Sequence, residues 1–256
     1  MRALLYHDVA PRSEWPVTGF PGGDAHVYKF EPEEFARHLA ALATLGTPPS
    51  LVTAHDPSSW LITFDDGGET ALTRIAPALE ARGWRGHFFI TVGRIGTRGF
   101  LDEAGVVELA RRGHVVGSHS VTHPLAMSSC SRTQLLSEWT DSVIRLTDLL
   151  GYRPEVASIP GGAFSSEVAA TAGKAGIRVL FTSEPTATPW PVGRVMCVGR
   201  YTVWNTMPAA TALGFATGRG LSAARQRTLW TTKKIAKALL GARYLVLRDR
   251  ILATRG

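Results

Sequence analysis

At 256 residues, 45% hydrophobic and 19% charged, the chain has the length for one large α/β domain, or two small ones, around a sizeable core. It contains no apolar run of about 18 residues, which excludes a membrane-spanning helix. Its two cysteines, Cys130 and Cys197, exclude a disulfide framework and suit a reducing compartment. The net charge of +7 is uneven: from Arg219 to Gly256 ten Lys and Arg face one acid, Asp249, and the preceding residues carry −2. That distribution argues against nucleic-acid binding by the domain as a whole.

The chain opens on "RALLYHDV" (2–9), which reads as a first strand. It has one Arg, a short apolar run and no small-residue cleavage site, so no signal peptide is read and a cytoplasmic location is expected. Residues 10–29, rich in proline and glycine, predict a long loop, either a substrate wall or a plain surface excursion. "EPEEFARHLAALATLG" (31–46) reads as a helix, and "WLITFDD" (60–66) as a buried strand ending in Asp65 and Asp66. A helix follows over 70–83, a strand over 87–92, a helix over 102–113 and a strand over 114–119. In the helix predicted over 131–151, Ser131 is the N-cap, and Leu135, Trp139, Val143, Leu146 and Leu150 form a core stripe. These four helices each end at a glycine suited to a C-cap. Strands at 156–160, 177–183 and 195–203 follow, with an irregular link over 184–194.

Alternating strands and helices predict a parallel sheet covered by helices, open or closed into a barrel. In such folds active groups gather at the C-terminal ends of the strands. Asp65, Asp66, His119 and the Pro160 loop all fall there. His119 and His123 are four apart, which on one helical turn puts both imidazoles on one face. Two histidines and one carboxylate, with Asp66 a candidate, make a three-ligand site with room for water. Asp65 would then be free to take a proton. A divalent cation would make the adjacent carboxylates tolerable; the alternative is that one of them caps the following helix.

"TFDDG" (63–67) and "HSVTH" (119–123) resemble the first two signature motifs of the polysaccharide deacetylase family, the NodB-homology domain or carbohydrate esterase family 4. The resemblance covers roughly residues 2–185. It implies an α/β fold, a distorted, incomplete (β/α) barrel, with Asp65 as general base and Asp66, His119 and His123 holding a divalent metal ion, Zn2+ first. The third motif reads "SIPGG" (158–162), with Ser158 where an Arg often stands and Gly161 where a Tyr does. Pro160, Gly161 and Gly162 are then the oxyanion and substrate-binding stretch, with the Gly161 N–H as donor. The family's late histidine has no counterpart, since all eight histidines lie at or before His123. "YHDV" (6–9) instead resembles the N-terminal motif of a circularly permuted branch, which implies His7 as general acid and Asp8 as its orienting group or part of the site lining. His87 and His114 are read as structural.

The implied activity is metal-dependent removal of N-acetyl groups from an amino sugar in a glycan or glycoconjugate. The alternatives are hydrolysis of another amide or ester, or non-catalytic glycan binding. The expected partner is an N-acetylated saccharide. The catalytic domain is expected over 1–218, followed by a basic helical extension over 219–256. There Ile235, Leu239, Ala242 and Val246 recur at helical spacing among Lys and Arg. Such a helix either lies on an anionic membrane surface, placing the enzyme at the inner face, or docks on the barrel.

Overall fold

"WLITF" and "HFFI" are buried at every position, the pattern of parallel strands covered on both faces. The structure is a computed structural model describing residues 1–52 and 59–240. Its strands are β1 (Arg2–Tyr6), β2 (Asp8–Val9), β3 (Lys29–Phe30), β4 (Trp60–Phe64), β5 (His87–Ile90), β6 (Val115–Ser118), β7 (Val156–Ser158), β8 (Val179–Phe181), β9 (Trp190–Val192), β10 (Val195–Val198) and β11 (Arg200–Thr202). Its helices are α1 (Gly23–His26), α2 (Pro32–Ala43), α3 (Ala76–Glu80), α4 (Glu103–Arg111), α5 (Arg132–Leu150), α6 (Ser166–Lys174), α7 (Ala209–Thr217) and α8 (Ser222–Leu240).

The main sheet runs β11-β1-β4-β5-β6-β7-β8-β10-β9, with β9 antiparallel to β10 and the other pairings parallel. The stretch expected as one strand over 195–203 is two, split at Gly199. Its first half pairs with β8 and its second with β1. One continuous segment thus closes the sheet on itself as a distorted, incomplete (β/α) barrel. Gly199 is needed at the bend, because a Cβ there would stand 2.4 Å from the Glu184 carbonyl oxygen.

Strand residues alternate between two faces. Ala3, Leu61, Phe89, Val156, Phe181 and Val198 form one buried cluster, the barrel interior. Leu4, Ile62, Phe64 and Phe88 belong to another that includes helix residues such as Phe35, Leu39 and Val106. Leu135, Trp139 and Val143 of α5 pack with Val168 and Ala172 of α6 and with Leu180. The helix α5 opens on a reciprocal Ser131–Gln134 capping box. All four expected terminal glycines, Gly46, Gly83, Gly113 and Gly151, adopt positive φ.

The predicted helix over 70–83 is instead a π-type turn (Ala71–Ile75) followed by the short α3. Pro77 supplies no N–H to a regular helical ladder, and the backbone widens just before it. Five of the strands and helices were not anticipated; α1 forms within the loop expected over 10–29 and β3 at its end. Two more are α6 and α7, whose buried faces are built largely of alanine rather than of large apolar residues. The fifth is β9, formed within the link over 184–194.

Candidate active site

Beyond β4 the chain delivers Asp65 and Asp66 to the C-terminal end of the barrel. Two like charges a residue apart need separate compensation, and each has its own. Asp65, 4% exposed, accepts two hydrogen bonds from Arg200, Nη1 to Oδ1 at 2.6 Å and Nη2 to Oδ2 at 2.8 Å. The Ser158 hydroxyl donates a third at 3.1 Å. Burial pushes the Asp65 carboxyl up, but Arg200 and His119 outweigh it and hold the group below its ordinary value. Asp66 turns away through a left-handed backbone, φ 77°. Its Oδ1 lies 3.4 Å from the Nε2 atoms of both His119 and His123. Burial again raises it, and the two imidazoles more than reverse that, holding it well below the carboxylate range.

Arg200 is the functional residue that sequence reasoning missed. It stands immediately after the Gly199 bend, fully buried. Its Nε donates to the Thr182 carbonyl and its Nη1 to Thr63, while its guanidinium lies 5.7 Å and 5.9 Å from the Phe89 and Phe181 ring centres. A planar fork held on both sides suits bidentate grip of a carboxylate. It shares Asp65 Oδ1 with Ser158, the residue that stands where an Arg often does in the third motif. The only sequence signal was a cation inside the apolar run "VMCVGRYTV".

The helical turn expected for His119–His123 does not form. These residues are a loop, bent by positive φ at Ser120 (65°) and His123 (59°). Such conformations cost a non-glycine residue about 1–3 kcal/mol each. His119 Nδ1 lies 3.1 Å from the Ser158 carbonyl, a partner that suits a proton on Nδ1 and would make Nε2 the ligating atom when a cation is bound. The two rings lie 5.0 Å apart.

Asp66, His119 and His123 offer donor atoms all within 4.8 Å of one another. The 3.4 Å separations match the edge of a tetrahedron with bonds of about 2.1 Å, the geometry of an N/O zinc site. The donor set therefore fits a divalent cation.

His7 follows β1 and lines the same cavity as Asp65, Asp66, Phe20 and Tyr28. Its Nδ1 is buried with no partner among the described residues. Burial lowers its basicity, opposed by the two aspartates. Asp8, expected to orient His7 or line the site, lines the cavity but is tied elsewhere. It accepts hydrogen bonds from the Val9 N–H and the Thr70 hydroxyl and pairs with Lys29 at 3.8 Å. Lys29 in turn donates to the Trp15 and Thr18 carbonyls. The loop over 10–28 is thereby fastened as a wall. Phe20 stacks on His123 and Tyr28 on His7, each with ring centres 4.6 Å apart.

Pro160–Gly162 forms a tight turn after β7, kinked at Gly161. Pro160 and Gly162 are buried, while Gly161 is exposed. Gly161 has φ 62°, and a Cβ there would meet the Leu125 carbonyl at 2.4 Å, so only glycine fits. Nearby, α8 donates from Gln226 Nε2 to the Thr202 carbonyl at 2.8 Å. The Trp230 ring comes within 3.6 Å of where a Gly162 Cβ would stand. Of the tail stripe, Ala242 and Val246 lie outside the described residues. His87 and His114 sit away from this site, as expected. His87 accepts from the Val52 N–H and lies 3.2 Å from the Ile62 carbonyl, and His114 accepts from the Gly86 N–H.

The model of the family described as Polysaccharide deacetylase matches residues 53–180. The chain is 30% identical over 194 residues to the "Putative polysaccharide deacetylase YxkH" of Bacillus subtilis (strain 168), covering 72% of this chain and 64% of that protein. It thus spans less than two-thirds of that relative's length. In fold it is similar to the Streptococcus pyogenes deacetylase PplD in complex with acetate, at 17% identity and TM-score 0.66 over 84% of this chain and 97% of that one. A de-N-acetylase from Aggregatibacter actinomycetemcomitans is similar over 84% of this chain and 98% of its own, at 17% identity and TM-score 0.68.

Proposed function

The chain belongs to the polysaccharide deacetylase family, and from that premise we propose that it is a metal-dependent hydrolase removing N-acetyl groups from an amino sugar of a glycan or glycoconjugate. One observation carries the reading. A carboxylate locked by Arg200 stands beside a second carboxylate facing two imidazoles, with His119 Nε2 3.9 Å from Asp65 Oδ2. One group is thus set for proton transfer and the other for a cation, most simply zinc.

A cation held by Asp66, His119 and His123 would polarise the amide carbonyl and acidify a water. Asp65, kept ionised by Arg200, takes the proton of the attacking water. The exposed Gly161 backbone offers its N–H to the developing oxyanion. His7 gives a proton to the leaving amine, which departs poorly without one. Phe20 and Tyr28 wall the cavity and limit water. The products are acetate and a free amino sugar.

The test is acetate release from N-acetylated sugars, oligosaccharides and lipid-linked glycans, with zinc and after its removal by chelation. Asp65→Asn and His7→Gln should each lower the rate about 10²–10⁴-fold, with thermal midpoints recorded to separate misfolding from lost chemistry. Folded Asp65→Asn protein that releases acetate at the wild-type rate would overturn the mechanism. The reading extends to a catalytic domain over 1–218 in a cytoplasmic enzyme, with the segment 219–256, docked on the barrel at Gln226 and Trp230, carrying the enzyme to the inner membrane surface. The net charge of +9 on that segment supports it. Salt-sensitive co-sedimentation with anionic but not neutral vesicles tests that part.

A further inference from the structure

Both histidines of the cation site ride on a loop with a left-handed backbone at two non-glycine positions, Ser120 and His123. A short loop of that shape does not hold itself. Its carbonyl side is fixed by the turn after β5, where Val92 N–H donates to Ser120 and Gly93 N–H to Val121, at 3.1 and 3.0 Å. The two amides at its middle are held by one side chain. Glu138 of α5 accepts from the Val121 and Thr122 N–H groups through Oε2, at 2.8 and 2.9 Å, and from the Thr122 hydroxyl through Oε1 at 2.5 Å.

One helical turn further on, on the same side of α5, Ser142 Oγ lies 2.5 Å from Ser118 Oγ. Ser118 Oγ accepts from the Ser120 N–H at 3.1 Å, and Ser120 Oγ from the His123 N–H at 3.2 Å. Two residues of one helix therefore address the loop at its start and its middle. The buried stripe of α5, Leu135, Trp139, Val143 and Leu146, fixes that helix against the barrel independently. The reach of Glu138 to the loop is thus set by core packing rather than by the loop.

We propose that Glu138 is a positioning residue for the cation site, holding His123 in register with His119 and Asp66 before any cation arrives. The proposal rests on the reading of Asp66, His119 and His123 as a divalent-cation site. Glu138 acts through the backbone between the two histidines. Its charge is spent on two N–H groups and a hydroxyl, the pattern of an anion in a small nest of donors. Removing it leaves His119 anchored through β6 and Ser158 but loosens the segment that ends at His123, which then keeps only its carbonyl bonds and the Ser120 hydroxyl. Partners of this kind behind metal ligands typically contribute 10–100-fold in affinity.

The experiment is zinc competition against a chromogenic chelator at fixed pH, with the thermal midpoint of each metal-free protein. Glu138→Ala should weaken zinc 10–100-fold with the metal-free midpoint little changed, because the buried stripe is untouched. Glu138→Gln, whose amide oxygen can accept both N–H groups, should recover most of the affinity. Thr122→Val, which removes only the hydroxyl bond, should weaken zinc by a few-fold and serves if Glu138→Ala does not fold. Wild-type affinity in folded Glu138→Ala, or in Thr122→Val if only that variant folds, overturns the proposal. Wild-type protein that binds no zinc overturns the cation site itself and this inference with it.

Discussion

The barrel carries the same trio of groups, a carboxylate, an arginine and a histidine, at both ends. At the C-terminal ends of the strands stand Asp65, Arg200 and His119; at the opposite end stand Glu80, Arg112 and His114. Arg112 grips Glu80 with two nitrogens and His114 Nε2 lies 2.9 Å from it, much as Arg200 grips Asp65. Exposure and surplus separate them. The Glu80 side chain is 22% exposed against 4% for Asp65, and its charge is fully matched. At the other end Arg200 is consumed by Asp65, and Asp66 is left facing imidazoles. A site arises where compensation falls one charge short, not wherever acids and histidines meet.

The sharpest way to break that comparison is to remove each arginine. Arg200→Met should cost about 3–5 kcal/mol in urea unfolding, because it strands a buried carboxylate, and it should abolish acetate release. Arg200→Lys should not restore activity, since an ammonium cannot make the paired bonds. Arg112→Met should cost about 1 kcal/mol or less and leave the released acetate unchanged. Equal costs at the two ends would sink the distinction.

A second, smaller effect is read in pH. Burial pushes the His87 pKa down to about 4, so His87 is neutral in the fold and protonates first in the unfolded chain. Its contribution is complete above the unfolded value of about 6.5 and is lost as pH falls toward the folded one, by about 3 kcal/mol in all. Urea midpoints between pH 7 and 4 should show that fall, and His87→Gln should flatten it. The smallest effect belongs to Glu80, which Arg112 above all holds below its ordinary value. Its contribution is present above about 4.5 and lost as pH falls through its folded value. Partial exposure keeps it small, so Glu80→Gln should alter stability little at neutral pH. A large loss there would show that the outer trio is as tightly coupled as the inner one.

Much of this was legible in the sequence, for physical reasons that also set the limit. The acid pair stood out because no strand end tolerates it without help, and α5 because large apolar residues recur at its period. The helices α6 and α7 were hidden because alanine fills their buried faces without marking a stripe. The spacing of His119 and His123 suits a helical turn, yet a loop with two positive φ angles brings the same atoms together; spacing alone does not choose. Arg200 lay in plain view, but a lone cation in an apolar strand names no partner 135 residues away.

The bend at Gly199 ties the history of the molecule to its chemistry. Among the described residues the last strand in chain order is also the one that shuts the barrel, and it carries the counter-charge for Asp65. Until β11 reaches β1, the first of the two acids lacks its guanidinium partner, so a partly folded chain is electrostatically frustrated at its future centre. Docking relieves that frustration and aligns the Asp65 carboxylate in one event. Active enzyme should therefore appear in refolding with the same time constant as barrel closure, with no long-lived closed but inactive species between them.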